Sequence, residues 1–315
     1  MKTRQALLVK PGQFEIRQAN IKPKDGELLV KMEGCGLCNW ELHHWLGLLD
    51  VLPCVPGHEG YGVVAAIGPG CAGRVKVGDR VTGLGQNCFA DYFPMPEKFA
   101  MVVGEDVREK HMPGEPLYCV VNVVRGAHPE AGDVLGIIGC GPMGLWCTMA
   151  LAHRTLRALI AIDVDDRKLR LARKYGATHL INPGKVDVVA AVKEITGGQM
   201  CDVSIEGSGT AAGVRTAIDI ARPIRPKVMI MGTYKKNVDI DMMKFCESAG
   251  TVVWAHPRLT ADVPDGIRRT ETLINNGVFK VDPLVTHVFE LEKINEAFKA
   301  LETKPAGFMK GVVTP

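Results

Sequence analysis

The sequence predicts an α/β protein built from a β-rich segment and a doubly wound parallel sheet. Three observations carry this. From Ala6 to about Ala100, short apolar runs such as Leu28 to Met32 and Gly62 to Ile67 are separated by Gly, Pro and Asp turns, the texture of all-β structure. From about Leu117, apolar runs at Val134 to Ile138, Ala158 to Ile162, Val203 to Ile205 and Val228 to Met231 alternate with helical patterns. That alternation means a parallel sheet with right-handed crossovers. Finally, 315 residues exceed the usual size of a single core, so two domains or one large α/β unit are expected.

Along the chain, Met1 to Gln5 precede only four apolar residues, Ala6 to Val9, too few for the apolar region of a signal peptide. Val134 to Ala152 is uncharged and long enough to span a bilayer, but Gly136, Gly139, Gly141, Pro142 and Gly144 interrupt it. It reads as strand, turn and a helix over Leu145 to His153. Beyond His256 come a second amphipathic helix, Leu291 to Leu301, and a closing strand near Met309 to Val313. The 38 basic and 35 acidic residues leave a charge of +3 with no basic stripe, which argues against nucleic acid as a partner. Ten irregularly spaced cysteines without a secretion signal point to reduced thiols and a cytoplasmic protein without membrane attachment.

The glycine motif Gly139-Cys-Gly-Pro142-Met143-Gly144 follows an apolar run and opens a helical stretch. Gly139 would make a tight turn, Gly141 a close backbone approach and Gly144 the helix-to-strand packing, with phosphate charge facing the helix N-terminus. Asp163, nineteen residues after Gly144, stands where a carboxylate accepts from the adenosine ribose hydroxyls. It favours NAD over NADP, although Arg167 nearby keeps a 2′-phosphate in play.

Cys38, His58, Glu59 and Glu115 are all of ligand type and lie in or beside the β-rich segment. A catalytic zinc needs about three such ligands and an open position, which this set could supply. Each also has an ordinary reading: a small buried thiol, an exposed turn after Pro56-Gly57, a solvated helix cap. Cys35-x-x-Cys38 has no second pair and no strand-helix redox context, so Cys35 is expected in the core.

Together Gly34-Cys-Gly-Leu-Cys38, Val55-Pro-Gly-His58-Glu59-Gly-Tyr-Gly-Val-Val64, Val77-Gly-Asp-Arg-Val81, Glu115-Pro-Leu117, the glycine motif and Val285-Thr-His-Val-Phe-Glu-Leu-Glu292 resemble the zinc-containing medium-chain dehydrogenases. The resemblance is nearest to the polyol (sorbitol) and threonine dehydrogenase branch, in which Glu-Pro-Leu precedes the glycine motif by the same interval. It implies a GroES-like catalytic domain from 1–119 and 257–315, a Rossmann NAD-binding domain at 120–256, and a homodimer or homotetramer. Carried over, Cys38 and His58 become zinc ligands, and Glu59 a third or occasional one. Glu115 becomes a ligand or the group that holds the metal's water. His43 stands where the family has a proton-relay histidine, although a surface or packed role stays open because His44 lies beside it.

Two departures matter. Only eight residues separate Arg80 from Phe89, where longer members insert a lobe for a second zinc, so one catalytic zinc and no structural zinc are expected. Trp40 stands where the family usually has a Ser or Thr hydroxyl, and an indole accepts no proton. Trp40, Trp45 and Leu46 are expected to narrow the substrate pocket, with His256 and Arg258 as outer candidates. The activity implied is hydride transfer between a secondary alcohol or polyol and NAD. Two alternatives stay open: an enzyme that retains its NAD and uses transient oxidation for epimerisation or elimination, and a catalytically silent dinucleotide-binding protein.

Overall fold

The computed structural model describes residues 1–234, 236–255 and 262–315, so His256 and Arg258 lie outside the described residues. The chain forms two compact units, Met1–Tyr118 with Asp262–Pro315, and Cys119–Ala261.

In the first unit the strands β1 (Lys2–Lys10) and β2 (Gln13–Asn20) form an antiparallel hairpin. After them come β3 (Glu27–Gly36), the short helix α1 (Glu41–Trp45), β4 (Glu59–Ile67), β5 (Arg80–Gly83), β6 (Tyr92–Pro96) and β7 (Ala100–Val102). Helix α2 (Glu115–Ala127) leads into the second unit, whose elements are β8 (Val134–Ile138), α3 (Pro142–Leu151), β9 (Ala158–Ile162), α4 (Asp166–Lys174), β10 (His179–Ile181), α5 (Val188–Thr196), β11 (Val203–Glu206), α6 (Ala211–Asp219), β12 (Lys227–Ile230), α7 (Met243–Ser248) and β13 (Thr251–Trp254). The chain then returns to the first unit as α8 (Val263–Asn275), β14 (Val285–Glu290), α9 (Ile294–Thr303) and β15 (Lys310–Thr314).

The second unit holds a parallel sheet in the order β10-β9-β8-β11-β12-β13. Every residue of β8 and β9 is buried, which is why both appear in the sequence as unbroken apolar runs rather than alternating ones. The first unit's larger sheet runs β14-β15-β3-β4-β5-β7, with β6 also on β3. Here β3 is central: Gly36 pairs with Glu59 of β4 on one side and with Val312 of β15 on the other. Residues nearly three hundred positions apart thereby meet over one strand end.

Three expectations need correction. Helix α3 starts at Pro142, not Leu145, because proline's fixed φ suits a first helical position. The C-terminal helix opens with a 3₁₀ turn over Leu291–Lys293 before α9. Most consequentially, Trp45 is buried in the core of the first unit rather than set on an open face. Trp45 stacks on Phe14 at 5.8 Å and packs on Phe298, its indole N–H bonded to Glu302, and Leu46 packs against the same cluster.

Candidate functional site

The metal-type cluster is assembled where β3 ends and β4 begins. Leaving β3 at Gly36, the chain turns through Cys38 into α1, while His58 immediately precedes β4 and Glu59 opens it. Pairing of Gly36 with Glu59 brings the two turns together. The ligand atoms of Cys38, His58 and Glu59 all lie within 4.8 Å of one another. Two zinc bonds laid end to end reach roughly 4.4 Å, so a small contraction lets these atoms share an ion. The donor set of thiol, imidazole and carboxylate fits zinc. Glu115, at the first turn of α2, is buried, with its Oε2 3.7 Å from His58 Nε2.

Glu41 is a residue at this cluster that sequence reasoning missed. It is 1% exposed, its Oε2 accepts the Cys38 N–H at 3.2 Å, and its Oε1 lies 3.0 Å from His58 Nδ1. It thus braces the loop of one ligand and faces the far nitrogen of the other, the arrangement that fixes a ligating histidine's ring and tautomer. A carboxylate three residues after Cys38 was the available signal.

Electrostatics tighten the cluster. Burial raises the Cys38 thiol, with Glu59 adding to the rise and His58 opposing it. Burial pulls His58 down, but Glu41, the contact with Cys38, and Glu115 outweigh it and hold the imidazolium well above its usual range. Lys310, from β15, is also penalised by burial, yet Glu59 and Cys38 keep it charged. Its Nζ lies 2.5 Å from Glu59 Oε2 and donates to the Leu37 carbonyl at 3.0 Å.

Around this cluster Trp40 is half exposed, and its backbone N–H points at Cys38 Sγ, 3.5 Å away. Its ring is tilted against His43 at 5.0 Å, and the His43 Nδ1 lies 3.0 Å from the Trp40 carbonyl. Cys35 is fully buried.

The second site is the turn between β8 and α3. Gly139 has φ +91°, a left-handed conformation that favours glycine, and a Cβ there would meet the Ser208 nitrogen at 2.7 Å. At Gly144 a Cβ would meet the Gly139 carbonyl at 2.0 Å, whereas at Gly141 it would meet nothing within 4 Å. There is therefore open space in front of the N-terminus of α3, where no side chain caps the helix. Pro142 and Met143 occupy the first helical positions. This cradle fits a pyrophosphate on the exposed N–H groups. Asp163 follows β9 directly and spans the turn, accepting from the Cys140 N–H at 2.7 Å and the Asp165 N–H at 2.8 Å. Arg167 is held in a two-point pair by Asp165, at 3.1 and 2.8 Å. Glu206, fully buried at the end of β11, accepts from the Ser208 and Gly209 N–H groups and so fixes the loop that abuts Gly139; the sequence reading overlooked it.

A parallel sheet with a glycine turn at its strand ends, joined to a β-rich unit holding a Cys-His-Glu cluster, defines a dehydrogenase architecture. Known proteins agree. The alcohol dehydrogenase GroES-like domain matches residues 24–156, and the zinc-binding dehydrogenase domain matches residues 142–269. L-threonine 3-dehydrogenase of Pyrococcus abyssi is 28% identical over 322 residues, covering 91% of each chain. D-xylulose reductase A of Aspergillus oryzae is 26% identical over 326 residues, covering 89% of each. Among solved structures, an Escherichia coli oxidoreductase of unknown specificity superposes with a TM-score of 0.87 at 25% identity, covering 100% of this chain and 99% of that one. The (2R,3R)-butanediol dehydrogenase of Bacillus subtilis, at 24% identity and a TM-score of 0.84 over 99% of each chain, shares the fold. The chain belongs to the zinc-containing medium-chain dehydrogenase family and is an oxidoreductase of the alcohol dehydrogenase class.

Proposed function

We propose that this enzyme oxidises a secondary alcohol or polyol with NAD, reversibly, at one zinc site. The observation that carries the reading is the convergence of Cys38, His58 and Glu59 beside a buried Glu115. Relatives named as reductase of a ketose, whose reduction gives a secondary alcohol, and as dehydrogenase of threonine, itself a secondary alcohol, support the substrate class. When bound, zinc supplies Lewis acidity toward the alcohol oxygen and NAD supplies the hydride acceptor.

The chain's own residues do the rest. Cys38 and His58 would hold the ion, with Glu59 or Glu115 completing the set, and Glu41 orients His58 through Nδ1. Glu115 is the proposed acceptor of the alcohol proton, with His43 as the second candidate; Trp40 has no lone pair to offer. Gly139 to Gly144 would cradle the pyrophosphate, and Asp163 would accept from the ribose hydroxyls. Arg167 is paired with Asp165, so a 2′-phosphate would have to compete with that carboxylate for it, which supports NAD over NADP. The short connection from β5 to β6, residues 84–91, supports a single zinc without a structural partner.

All ten cysteines are free thiols, which supports a cytoplasmic enzyme. Among the described residues no helix is long and apolar enough to cross a membrane. The sheet's edge strand β13 exposes Val252 and Trp254, an apolar edge that a second copy could pair, and light scattering should return the mass of a homodimer or its multiple.

The test is a screen of polyols, amino alcohols, cyclitols and short secondary alcohols with NAD and zinc-loaded protein, read as NADH absorbance. Elemental analysis should find one zinc per chain, and Cys38→Ala should empty the site and abolish turnover. Two zincs per chain, or full zinc in Cys38→Ala, would defeat the assignment.

A further inference from the structure

The first unit holds a cleft of about 450 Å³ whose lining includes no residue of the metal-type cluster. Small-molecule sites run to roughly 300–1,000 Å³, so its size is that of a ligand site. Part of the lining is the segment before α2, whose backbone is clamped from two sides. Arg80 donates to the Glu109 and Lys110 carbonyls at 3.0 and 2.9 Å, while the Asp282 carboxylate accepts the Lys110 and His111 N–H groups at 2.7 and 2.8 Å. The cleft's acids are already engaged: Glu33 accepts from Arg80 Nε at 3.0 Å, and Glu109 accepts the Asp282 N–H at 2.8 Å. Arg108 and Lys110, both exposed and both lining the cleft, have no ion-pair partner among the described residues. Two cations there stay unmatched.

His111 adds a neutral donor. It is 9% exposed and lines the cleft, with Nδ1 2.8 Å from the hydroxyl of the buried Tyr61 on β4. Gly34 makes room for that hydroxyl, since a Cβ there would fall 2.2 Å from it. Burial pushes the Tyr61 phenol up, so it keeps its proton, and among the described residues His111 Nδ1 is the acceptor it meets. A buried hydroxyl that donates to nothing is costly, so Nδ1 accepts and the ring's own proton sits on Nε2. Burial also lowers His111; Asp282 opposes this and Lys110 and Arg80 add to it, which keeps the ring neutral.

We propose that this cleft is a second binding site, for a small phosphate ester, with Arg108 and Lys110 meeting the phosphate charge and His111 Nε2 donating to one of its oxygens. A phosphate monoester carries about two charges at neutral pH, which match the two unpaired cations. Its three free oxygens suit donors of three kinds, guanidinium, ammonium and imidazole, where a carboxylate offers two. The cleft is larger than the phosphate group alone, which leaves room for an organic body.

Calorimetric titration of the intact protein at constant ionic strength, with glucose 6-phosphate, inorganic phosphate, citrate and glucose, tests the site. Glucose 6-phosphate should bind more tightly than phosphate or citrate. The double variant Arg108→Ala with Lys110→Ala should melt with wild type, since both side chains are exposed. It should bind the ester roughly tenfold or more weakly, the cost of losing a single hydrogen bond to a charged group. Any binding of glucose should be equal in the two proteins. In wild type, nitrogen NMR should show His111 as the Nε2–H tautomer, and its Nε2 resonance should move as the ester is added. Ester affinity unchanged in the double variant would place the binding elsewhere and overturn the proposal, as would an unmoved His111 resonance at saturation. So would failure of the ester to bind at millimolar concentration. Citrate binding more tightly than the ester would make this a carboxylate site, and phosphate binding as tightly as its ester would leave the organic body no role; either result defeats the assignment to a phosphate ester.

Discussion

Trp40 and Trp45 sit on either side of one short helix, and their environments set opposite roles. Trp45 is buried against Phe14 and Phe298, so Trp45→Ala should cost about 3–5 kcal/mol of stability, as truncating a buried aromatic does, and leave KM of the folded fraction unchanged. Trp40 is half exposed against His43, so Trp40→Ala should unfold at the same denaturant concentration as wild type while changing kcat or KM. Denaturant melts set beside steady-state kinetics check both, and a stability loss at Trp40 would contradict the reading. Glu115 is the sharper case. Glu115→Gln keeps size but removes the basic carboxylate, and a general base of this kind contributes on the order of 10²–10⁴ in rate. Turnover should fall by that factor with NAD binding intact, zinc content being measured alongside. Near-normal turnover with zinc retained, combined with an inactive His43→Ala, would assign the proton to the histidine instead. At this scale the legible residues were those announced by local spacing, such as Cys38, His58 and Asp163. Lys310 was invisible because its partner Glu59 lies 251 residues away and only strand pairing joins them.

At the scale of elements, the strands of the parallel sheet were readable because both faces are covered, which leaves an apolar run with no alternation to confuse; β8 and β9 coincide with the runs at Val134 to Ile138 and Ala158 to Ile162. The five-residue helix α1 was not readable. It is too short to show a period, and the wrong placement of Trp45 followed from missing it. Had its helical spacing been recognised, Leu42 and Trp45, three apart, would have fallen on one buried face. The β8–α3 turn carries its own prediction. Asp163 bridges Cys140 and Asp165 with its carboxylate, so it serves the turn's geometry as well as the proposed ribose contact. Asp163→Asn keeps the size but only one of the two acceptor oxygens, turning an NH2 donor toward the Cys140 or Asp165 N–H, and removes the charge that repels a 2′-phosphate. Fluorescence titration should then show the NAD preference over NADP shrinking by about tenfold, on the scale of one lost charged hydrogen bond. An unmodified protein that binds NADP as tightly as NAD would refute the assignment.

For the whole molecule, the consequence of the fold is that the first unit is closed by a piece of chain that arrives last. Strands β14 and β15 follow the second unit in sequence yet join the sheet of β3, and β15 delivers Lys310 to the metal-type cluster. Each unit has its own apolar core, one around Phe14, Trp45, Phe89 and Phe298 and the other around Ile138, Ile160, Ile162 and Ile230. A ligand that binds only the folded state stabilises it by about 4 kcal/mol at a thousandfold excess over its Kd, and that protection belongs to the elements holding the ligand. Chelating zinc should therefore speed amide exchange at the end of β3, through α1, at the start of β4 and in β15, although β15 lies some 250 residues beyond β4. Strands β8 to β13 should be unaffected, while added NAD should slow exchange at the β8–α3 turn and leave β15 unchanged. Hydrogen exchange read by mass spectrometry on overlapping peptides resolves these segments. A uniform change across both units on chelation would mean that they open as one cooperative body. A response at β3 and β4 without β15 would mean that the returning strand is not coupled to the metal at all.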